Sequence, residues 1–244
     1  TGVGFKPDFV WIKRRSSSAS HSWTDSSRGN NLVLQSNETS AEASGQITLD
    51  SDGFTIGNDN ALRNTNGETY VAWCWKANEG TTSSNTDGSI TSTVQANQDA
   101  GFSIVKYVGD GNSARTVGHG LTAKCDLVII KGRDSADKWV VQLPQLGDNA
   151  RCVLEGTAAK TDDSTTAQAG NATVFGIGGD NAVNKSGDNF ISYCFHSVDS
   201  FSKIGSYTGN GSANGPIVET GFEPAFLMVK RTDSADSWII LDNK

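Results

Sequence analysis

The chain has 244 residues, 36% of them hydrophobic, and a net charge of −7, which together exclude several classes of protein. Nucleic-acid binding needs clustered Lys and Arg, and this acidic chain offers only one short basic run, Lys13-Arg14-Arg15. No apolar run approaches the ~18 residues that a membrane span requires, so we expect a soluble protein without membrane insertion.

The first predicted strand is the apolar run FVWIK after the Pro7-Asp8 turn, and it occurs three times in the chain. Its copies are CDLVIIK, ending at Lys131, and AFLMVK, ending at Lys230. Short apolar runs bounded by Gly, Pro or charge are typical of buried strands. A helix is the alternative, but none of these runs carries an apolar stripe of 3.6-residue period with caps.

A loop and then a tryptophan follow each of these strands, at Trp23, Trp139 and Trp238. Such tryptophans could form a stacking platform for sugars. The alternative is that each one anchors the core of its own unit, because a buried Trp covers ~150–250 Å². We favour the core position, since repetition at one place in every unit is what packing would produce.

The longest repeated stretch runs from Ser51 to Ala77 and returns from Thr173 to Ser197. Both copies hold a Gly turn, the triplet Asp-Asn-Ala and a closing aromatic-Cys-aromatic strand, with Trp73-Cys74-Trp75 in the first copy. We expect the Asn and Gly residues before that strand to form hairpin turns. The acidic run Asp50-Ser51-Asp52-Gly53 begins like a calcium loop but lacks the later ligands, so a β-turn explains it better.

A polar Ser/Thr-rich stretch at residues 85–100 is the best candidate for a linker. An opening strand, Phe102–Tyr107, follows it and has an echo at Phe201–Tyr207. Strand and turn signals every ~8–12 residues indicate an all-β fold of tandem antiparallel β-sandwich repeats, of the jelly-roll or concanavalin-like type. We expect these sandwiches to stack end to end.

The repeats divide the chain into four predicted segments. Residues 1–84 form a first β-sandwich repeat whose opening strand is missing or supplied from elsewhere, and residues 85–100 are the linker. Residues 101–199 form a complete second repeat, and residues 200–244 form the first half of a third. Since half a sandwich would expose its core, we expect the natural polypeptide to extend at both ends.

No stretch of the sequence reads as an active site or a metal site. The cysteines lie at positions 74, 125, 152 and 194 without a zinc-type spacing, and we interpret them as free thiols. The histidines, His21, His119 and His196, occupy unrelated places, and none of the few glutamates recurs between units, so a pair of carboxylates for glycoside cleavage is unsupported. We therefore predict no catalytic residues, no metal ligands and no cofactor, and the ligand-binding residues stay unknown.

Several long phrases carry a resemblance to a known family. They include GFKPDFVWIKRR, HSWTDSSRG, DSDGFTIG, NGETYVAWCWKA and SYTGNGSANGPIVETGFEPAFLMVKRT. The chain resembles, over essentially all its length, a repeat family of tail-associated and fibre proteins of marine bacteriophages, whose members are called uncharacterised, tail fibre or SPRY-like. The resemblance implies a module of the virion, trimeric as phage fibres usually are.

We therefore predict a non-enzymatic structural or adhesion module of a phage particle that contacts the host surface. Its expected partners are further copies of itself in a homo-oligomer, other virion proteins and a glycan of the host surface, with no nucleic acid. Its expected location is the virion, after assembly in the host cytoplasm. The alternatives are a carbohydrate-binding β-sandwich domain of a secreted polysaccharide-active protein and an enzyme that cleaves surface polysaccharide.

Overall fold

The computed structural model describes residues 2–57 and 62–243. In these ranges the chain forms antiparallel β-sheets with a single turn of α-helix and one 3₁₀ turn, at Pro144–Leu146. The prediction of an all-β fold is confirmed. None of the described helices is long and apolar enough to cross a membrane.

The first repeat is built around a five-stranded sheet in the order β4-β3-β2-β1-β7. In its register Trp11 lies opposite Trp23 on one side and Trp73 on the other. A separate hairpin, β5–β6, pairs Asp50 with Gly53 across a two-residue turn. The strands are β1 Phe9–Arg14, β2 Ser22–Asp25, β3 Leu32–Gln35, β4 Ala43–Ser44, β5 Ile47–Asp50, β6 Gly53–Ile56 and β7 Tyr70–Trp75.

The second repeat and the segment before it supply an eight-stranded sheet and the pair β11–β16. The strands are β8 Ser83–Asn85, β9 Ser92–Asn97, β10 Phe102–Val108, β11 Arg115–Gly118, β12 Leu127–Gly132, β13 Val140–Gln142, β14 Ala150–Val153, β15 Thr161–Asp162, β16 Val174–Ile177 and β17 Asn189–Phe195, with helix α1 at Asn181–Asn184. The sheet order is β15-β14-β13-β12-β17-β10-β9-β8.

The strand order of the two main sheets follows the same repeat as the sequence. The order β15-β14-β13-β12-β17 matches β4-β3-β2-β1-β7 strand for strand. The second repeat continues beyond β17 with β10, β9 and β8, whereas in the described part of the first repeat the sheet ends at β7. A lysine closes each first strand and donates to the next residue's carbonyl, with Nζ–O distances of 3.0 Å for Lys13, 2.8 Å for Lys131 and 2.8 Å for Lys230.

The third repeat forms one two-stranded sheet, β18 (Phe226–Val229) with β19 (Ile239–Asp242). Its opening segment, residues 201–207, forms no strand although its sequence echoes β10. The side chains of Phe201 and Tyr207 are 61% and 55% exposed. A strand of this sequence is therefore present only where β17 and β9 pair with it.

The structure differs from the predicted linker and from the predicted hairpin turns. Residues 85–100 contain β9, which pairs with β10 from Ser92 to Asn97, because its alternate residues Ser92 and Val94 point into the protein. The turns near Gly67 and Gly187 exist, with positive φ at both glycines, but they lead into strands of a different sheet.

Helix α1 arises from the second Asp-Asn-Ala triplet, because the Asp180 carboxylate accepts a hydrogen bond from the N–H of Ala182 and caps the first turn. The first triplet lies outside the described residues.

Each main sheet carries apolar side chains on both faces. In β1, Phe9 and Trp11 point to a central cluster, whereas Val10 and Ile12 pack under the β5–β6 hairpin with Ile47 and other residues. In β12 the same alternation sends Ile129 to the central cluster and sends Val128 and Ile130 under β11 and β16. This two-sided burial explains the near-continuous apolar runs of the sequence.

Candidate functional site: the interface between repeats

The three repeats share one apolar core. The central cluster contains Trp11 and Trp23 from the first repeat, Trp139 and Tyr193 from the second, and Phe226 from the third. The ring centroids of Trp23 and Trp139 lie 4.9 Å apart, and those of Phe226 and Trp73 lie 5.4 Å apart. The repeats are therefore packed against one another around a common interior, which differs from the end-to-end stacking expected from the sequence.

The contact between the first and second repeats occurs again between the second and third. Trp139 Nε1 donates to the carbonyl of Gln35, at the end of β3, over 3.0 Å. Trp238 Nε1 donates to the carbonyl of Val153, at the end of β14, over 2.9 Å. Because β14 follows β13 as β3 follows β2, these two bonds join equivalent atoms, and one interface is used twice.

A main-chain bond accompanies the tryptophan bond at both interfaces. The N–H of Glu42 donates to the carbonyl of Arg133 over 2.8 Å, and the N–H of Lys160 donates to the carbonyl of Thr232 over 2.9 Å. The two sites differ in charge, since Glu42 also pairs with the Arg133 guanidinium and no such pair is possible between Lys160 and Thr232. The main-chain hydrogen bond is therefore common to both interfaces, whereas the charge pair belongs to the first one.

The prediction that Trp23, Trp139 and Trp238 anchor the core is confirmed. Trp23 and Trp139 are fully buried and Trp238 is half-buried against the same cluster. The three do not occupy one equivalent position, however. The register pairs Trp11 with Trp23, Ile129 with Val141 and Met228 with Ile240, so Trp139 and Trp238 correspond to His21 and not to Trp23.

A buried charge network crosses the first interface. The guanidinium of Arg28 is completely enclosed and bonds the carboxylates of Asp25 and Glu42 and the carbonyl of Trp23. The hydroxyl of Tyr193, from the second repeat, donates to Asp25 over 2.7 Å. These two anions hold the pKa of Arg28 well above its usual range in spite of its burial, and burial raises the pKa of Tyr193 well above its own.

A second polar centre fixes the segment between the first two repeats. The fully buried carboxylate of Asp8 accepts hydrogen bonds from the N–H groups of Ala77, Glu79 and Gly80 at 2.7–2.9 Å. In the second repeat Asp126 likewise accepts from the N–H of Ser197 at 2.7 Å. In both repeats, the aspartate before the first strand of the main sheet thus binds the main chain just after the strand that pairs with it, β7 or β17.

Gln95 links β9 to the same centre. Its amide nitrogen donates to the hydroxyls of Ser26 and Ser27, and its oxygen accepts from the N–H of Gly80. Gln95 is fully buried, so these bonds replace the water that the amide loses. The stretch predicted as a linker therefore holds the second sheet against the first repeat.

His21 occupies the position of the interface tryptophan in the first repeat. Its Nδ1 accepts a hydrogen bond from Trp11 Nε1 over 2.9 Å, which requires that nitrogen to be unprotonated. Burial, with the nearby positive charge of Lys13, lowers the pKa of His21 from its usual 6.5 to about 4.

We expect His21 to make stability depend on pH. Between pH 6.5 and about 4 the unfolded chain binds a proton at His21 that the folded chain does not, so this contribution is complete above pH 6.5 and is lost as the pH falls towards 4. A His21→Gln variant should show a shallower decline. The measurement is the urea midpoint of both proteins from pH 7.5 to 4.5. Both proteins contain the same carboxylates, so the titration of those groups cancels when one curve is subtracted from the other. If the urea midpoints of the two proteins fell equally with pH, His21 would not have the proposed effect on stability.

A thiol–imidazole cluster lies inside the second repeat, away from the interfaces. Burial raises the pKa of Cys194 well above its usual range, while hydrogen bonds from Cys194 and His119 lower the pKa of Cys125. Cys125 is 3% exposed and His119 is fully buried, so a dissolved substrate has no approach to either. All four cysteines are free thiols.

The acidic turn at residues 50–53 and His196 form hydrogen bonds with residues that lie next to them in the structure. Asp52 accepts from the N–H of Gly4 over 2.7 Å, and Asp50 accepts from the Thr55 hydroxyl, so the acidic turn is a hairpin turn as predicted. His196 contacts the carbonyl of Ser197. Within residues 2–57 and 62–243, His, Cys, Asp and Glu side chains do not gather in any group of three that could hold a metal ion.

A surface cavity of about 600 Å³ lies beside β3 and β4. Its described lining is small, aliphatic or polar, with Val33, Gln35 and the guanidinium of Arg63 among it, and includes no aromatic side chain. Arg63 also donates to the Ser22 hydroxyl over 2.8 Å.

The interface residues Arg28, Asp25 and Glu42 were not identified as functional from the sequence. Charged residues in a Ser/Gly-rich stretch look solvated, and the partner that completes the network, Tyr193, lies 168 residues away. The only available signal was the phrase HSWTDSSRG, which contains Asp25 and Arg28.

A search of curated proteins and a search of solved structures each found no match to this chain. A family of protein domains matches residues 1–244, which is the whole sequence. The chain, with its repeated sheets and shared core, belongs to the family described as Domain of unknown function (DUF7483).

Proposed function

We propose that this chain is a non-enzymatic structural or adhesion module of a virus particle, part of a phage tail fibre or a tail-associated protein that contacts the host surface. The observation that carries the proposal is the interface used twice, in which equivalent atoms join the first repeat to the second and the second to the third. A head-to-tail contact of this kind suits a protein that builds an extended or rigid assembly from one unit.

The repeats are proposed to be two-layer β-sandwiches. In the first repeat the β5–β6 hairpin covers the outer face of the main sheet, and in the second repeat β11 and β16 do so. The other face of each sheet turns to the shared core. In such an arrangement the large aromatic residues contribute cohesion, as a structural module requires.

The proposed partners are further copies of this chain, other virion proteins and a host-surface glycan. The resemblance to phage fibre proteins supports the virion location, and the burial of Trp23 and Trp139 favours the structural role over the carbohydrate-binding alternative. A glycan site usually presents an exposed aromatic ring, and Trp23 and Trp139 are enclosed.

The test is immuno-electron microscopy of phage particles purified from infected cells that produce this protein, with antibody raised against residues 101–199. Gold label at the tail or its fibres would support the proposal, and particles without label, although the protein is detected in the infected cell, would overturn it. A glycan array separates the adhesive role from a purely structural one. Release of oligosaccharides from host envelope polysaccharide would identify an enzyme instead.

A further inference from the structure

We propose that three positions on each repeat determine which repeat can dock on it, so that the second repeat packs on the first and is rejected by the second repeat of another copy. The surface of a repeat that receives the next repeat is here called its docking face. The three positions are Asp25, Arg28 and Glu42 on the first docking face and Leu143, Leu146 and Lys160 on the second. This inference does not depend on the virion location.

The segment after β2 and the segment after β13 correspond residue by residue. The two strands share one register with their neighbours, and both segments reach the next strand of their sheet, β3 or β14, without an insertion. The glycine in each segment has a positive φ, 105° in the first repeat and 132° in the second. Leu143 therefore takes the place of Asp25, and Leu146 takes the place of Arg28.

The first docking face is polar and fits a tyrosine hydroxyl. The side chains of Asp25 and Arg28 are fully enclosed and paired with each other. The hydroxyl of Tyr193, from the second repeat, donates to Asp25 over 2.7 Å. Because Tyr193 is itself completely buried, its hydroxyl has lost water and needs an acceptor on the docking face. Asp25 supplies that acceptor.

The second docking face has a leucine where the first has this acceptor. Leu143 packs against the central apolar cluster, as do Phe226 and Met228 of the third repeat. A tyrosine hydroxyl placed here as Tyr193 is placed on the first face would meet the Leu143 side chain and would lose its hydrogen bond. A buried hydroxyl without an acceptor is costly, so this face disfavours a repeat that carries Tyr193.

Charge beside the main-chain bond adds a second penalty. On the first face the Glu42 carboxylate pairs with the Arg133 guanidinium over 2.7 Å, and the main chains of the same two residues are hydrogen-bonded. On the second face Lys160 takes the place of Glu42 and bonds the main chain of Thr232. Arg133 of another second repeat would bring its guanidinium next to the Lys160 ammonium, where the two positive charges repel.

Both penalties act on the same incorrect pairing. The second repeat of another copy has the loop and the tryptophan that dock on such a face, but its Tyr193 hydroxyl and its Arg133 guanidinium would both meet unfavourable neighbours there. Interface specificity commonly combines attraction for the correct partner with repulsion of the wrong one. The repeats therefore pair in the order that the chain sets, and separate copies do not exchange second repeats through this interface.

Moving the charge pair of the first junction to the second tests the electrostatic part. Thr232→Arg gives the third repeat the residue that the second repeat has at this place, and Thr232→Gln is the uncharged control. We expect a lower urea midpoint for Thr232→Arg than for Thr232→Gln, because the guanidinium meets Lys160, and the opposite order once Lys160→Glu is added. Concentrated salt should reduce both differences. Equal midpoints for the two Thr232 variants, or no gain from Lys160→Glu, would overturn the proposal.

Removing the Tyr193 hydroxyl tests the polar part. In the parent chain Tyr193→Phe removes a donor to Asp25 and should lower the urea midpoint. In a variant with Asp25→Leu and Arg28→Leu, the residues of the second face, Tyr193→Phe should leave the midpoint unchanged or raise it. The control is Tyr107→Phe, whose hydroxyl donates to the Val183 carbonyl inside the second repeat over 2.7 Å and should cost the same in both backgrounds.

An equal loss from Tyr193→Phe in both backgrounds would refute the proposal. If the double leucine variant does not fold, the Thr232 variants decide alone, because they leave the buried network of the first junction intact.

Discussion

Replacing Arg28 by methionine is expected to lower the free energy of unfolding by about 3–5 kcal/mol. The guanidinium is fully enclosed and neutralises Asp25, whose carboxylate is also completely buried. Without it, one uncompensated charge stays inside the protein between Tyr193 and the backbone of the first repeat. The measurement is urea denaturation followed by tryptophan fluorescence, with the change read from the midpoint at constant slope.

The matched control for this prediction is Arg231→Met. Arg231 pairs with Asp233 at the surface, where the two side chains are 55% and 77% exposed. Solvent screens an exposed pair so strongly that it adds little to stability, and this variant should unfold almost as the parent does. If Arg28→Met proved no more harmful than Arg231→Met, the buried network would not be what joins the first two repeats.

The Trp139→Ala substitution should destabilise the protein by about 3–5 kcal/mol. Trp139 is fully buried, packs on Trp23 and donates to the carbonyls of Gln35 and Glu38 in the neighbouring repeat. Truncation therefore opens a cavity in the shared core and removes the indole donor from two carbonyls of the first repeat, of which that of Gln35 keeps the N–H of Glu38. Chemical denaturation at neutral pH measures the loss.

Two further variants separate the cavity from the hydrogen bond. Trp139→Phe keeps most of the ring volume and loses the indole donor, and we expect a cost of about 1–3 kcal/mol from the lost hydrogen bonding to the Glu38 and Gln35 carbonyls. Trp238→Ala, at the equivalent but half-buried position, should cost less than Trp139→Ala. An equal loss for Trp238→Ala and Trp139→Ala would show that the two interfaces carry similar weight, contrary to their different burial.

Strands with strong apolar patterns were predictable from the sequence. The runs that became β1, β12 and β17 are bounded by turns and buried on both faces, and β7, the other aromatic-Cys-aromatic strand, is half-buried along most of its length. Their repetition along the chain indicates which strands of the two main sheets correspond. Local pattern sufficed here because each strand's burial is encoded in its own residues.

Strand β9 and the interface network could not be predicted from the sequence, because their buried polar residues are satisfied by partners far away in the chain. In β9 the buried residues are Ser92 and Val94 on one face and Gln95 on the other, two of them polar, so the average composition resembled a linker. The partners that satisfy Gln95 are Ser26 and Ser27, on a distant part of the chain. Polar burial depends on tertiary contacts, and a single sequence does not report them.

The main-chain bond shared by the two interfaces has a consequence for how the sequence can diverge. Glu42 and Lys160 both use the amide, and Arg133 and Thr232 both use the carbonyl, so this bond forms whatever side chains stand at the four positions. Substitution of Lys160 or Thr232 changes the charge of the second junction and keeps the bond, whereas Glu42 also supplies the carboxylate that pairs with buried Arg28. A duplication of one repeat could therefore lengthen the chain first, and the charged side chains at each junction could be substituted later.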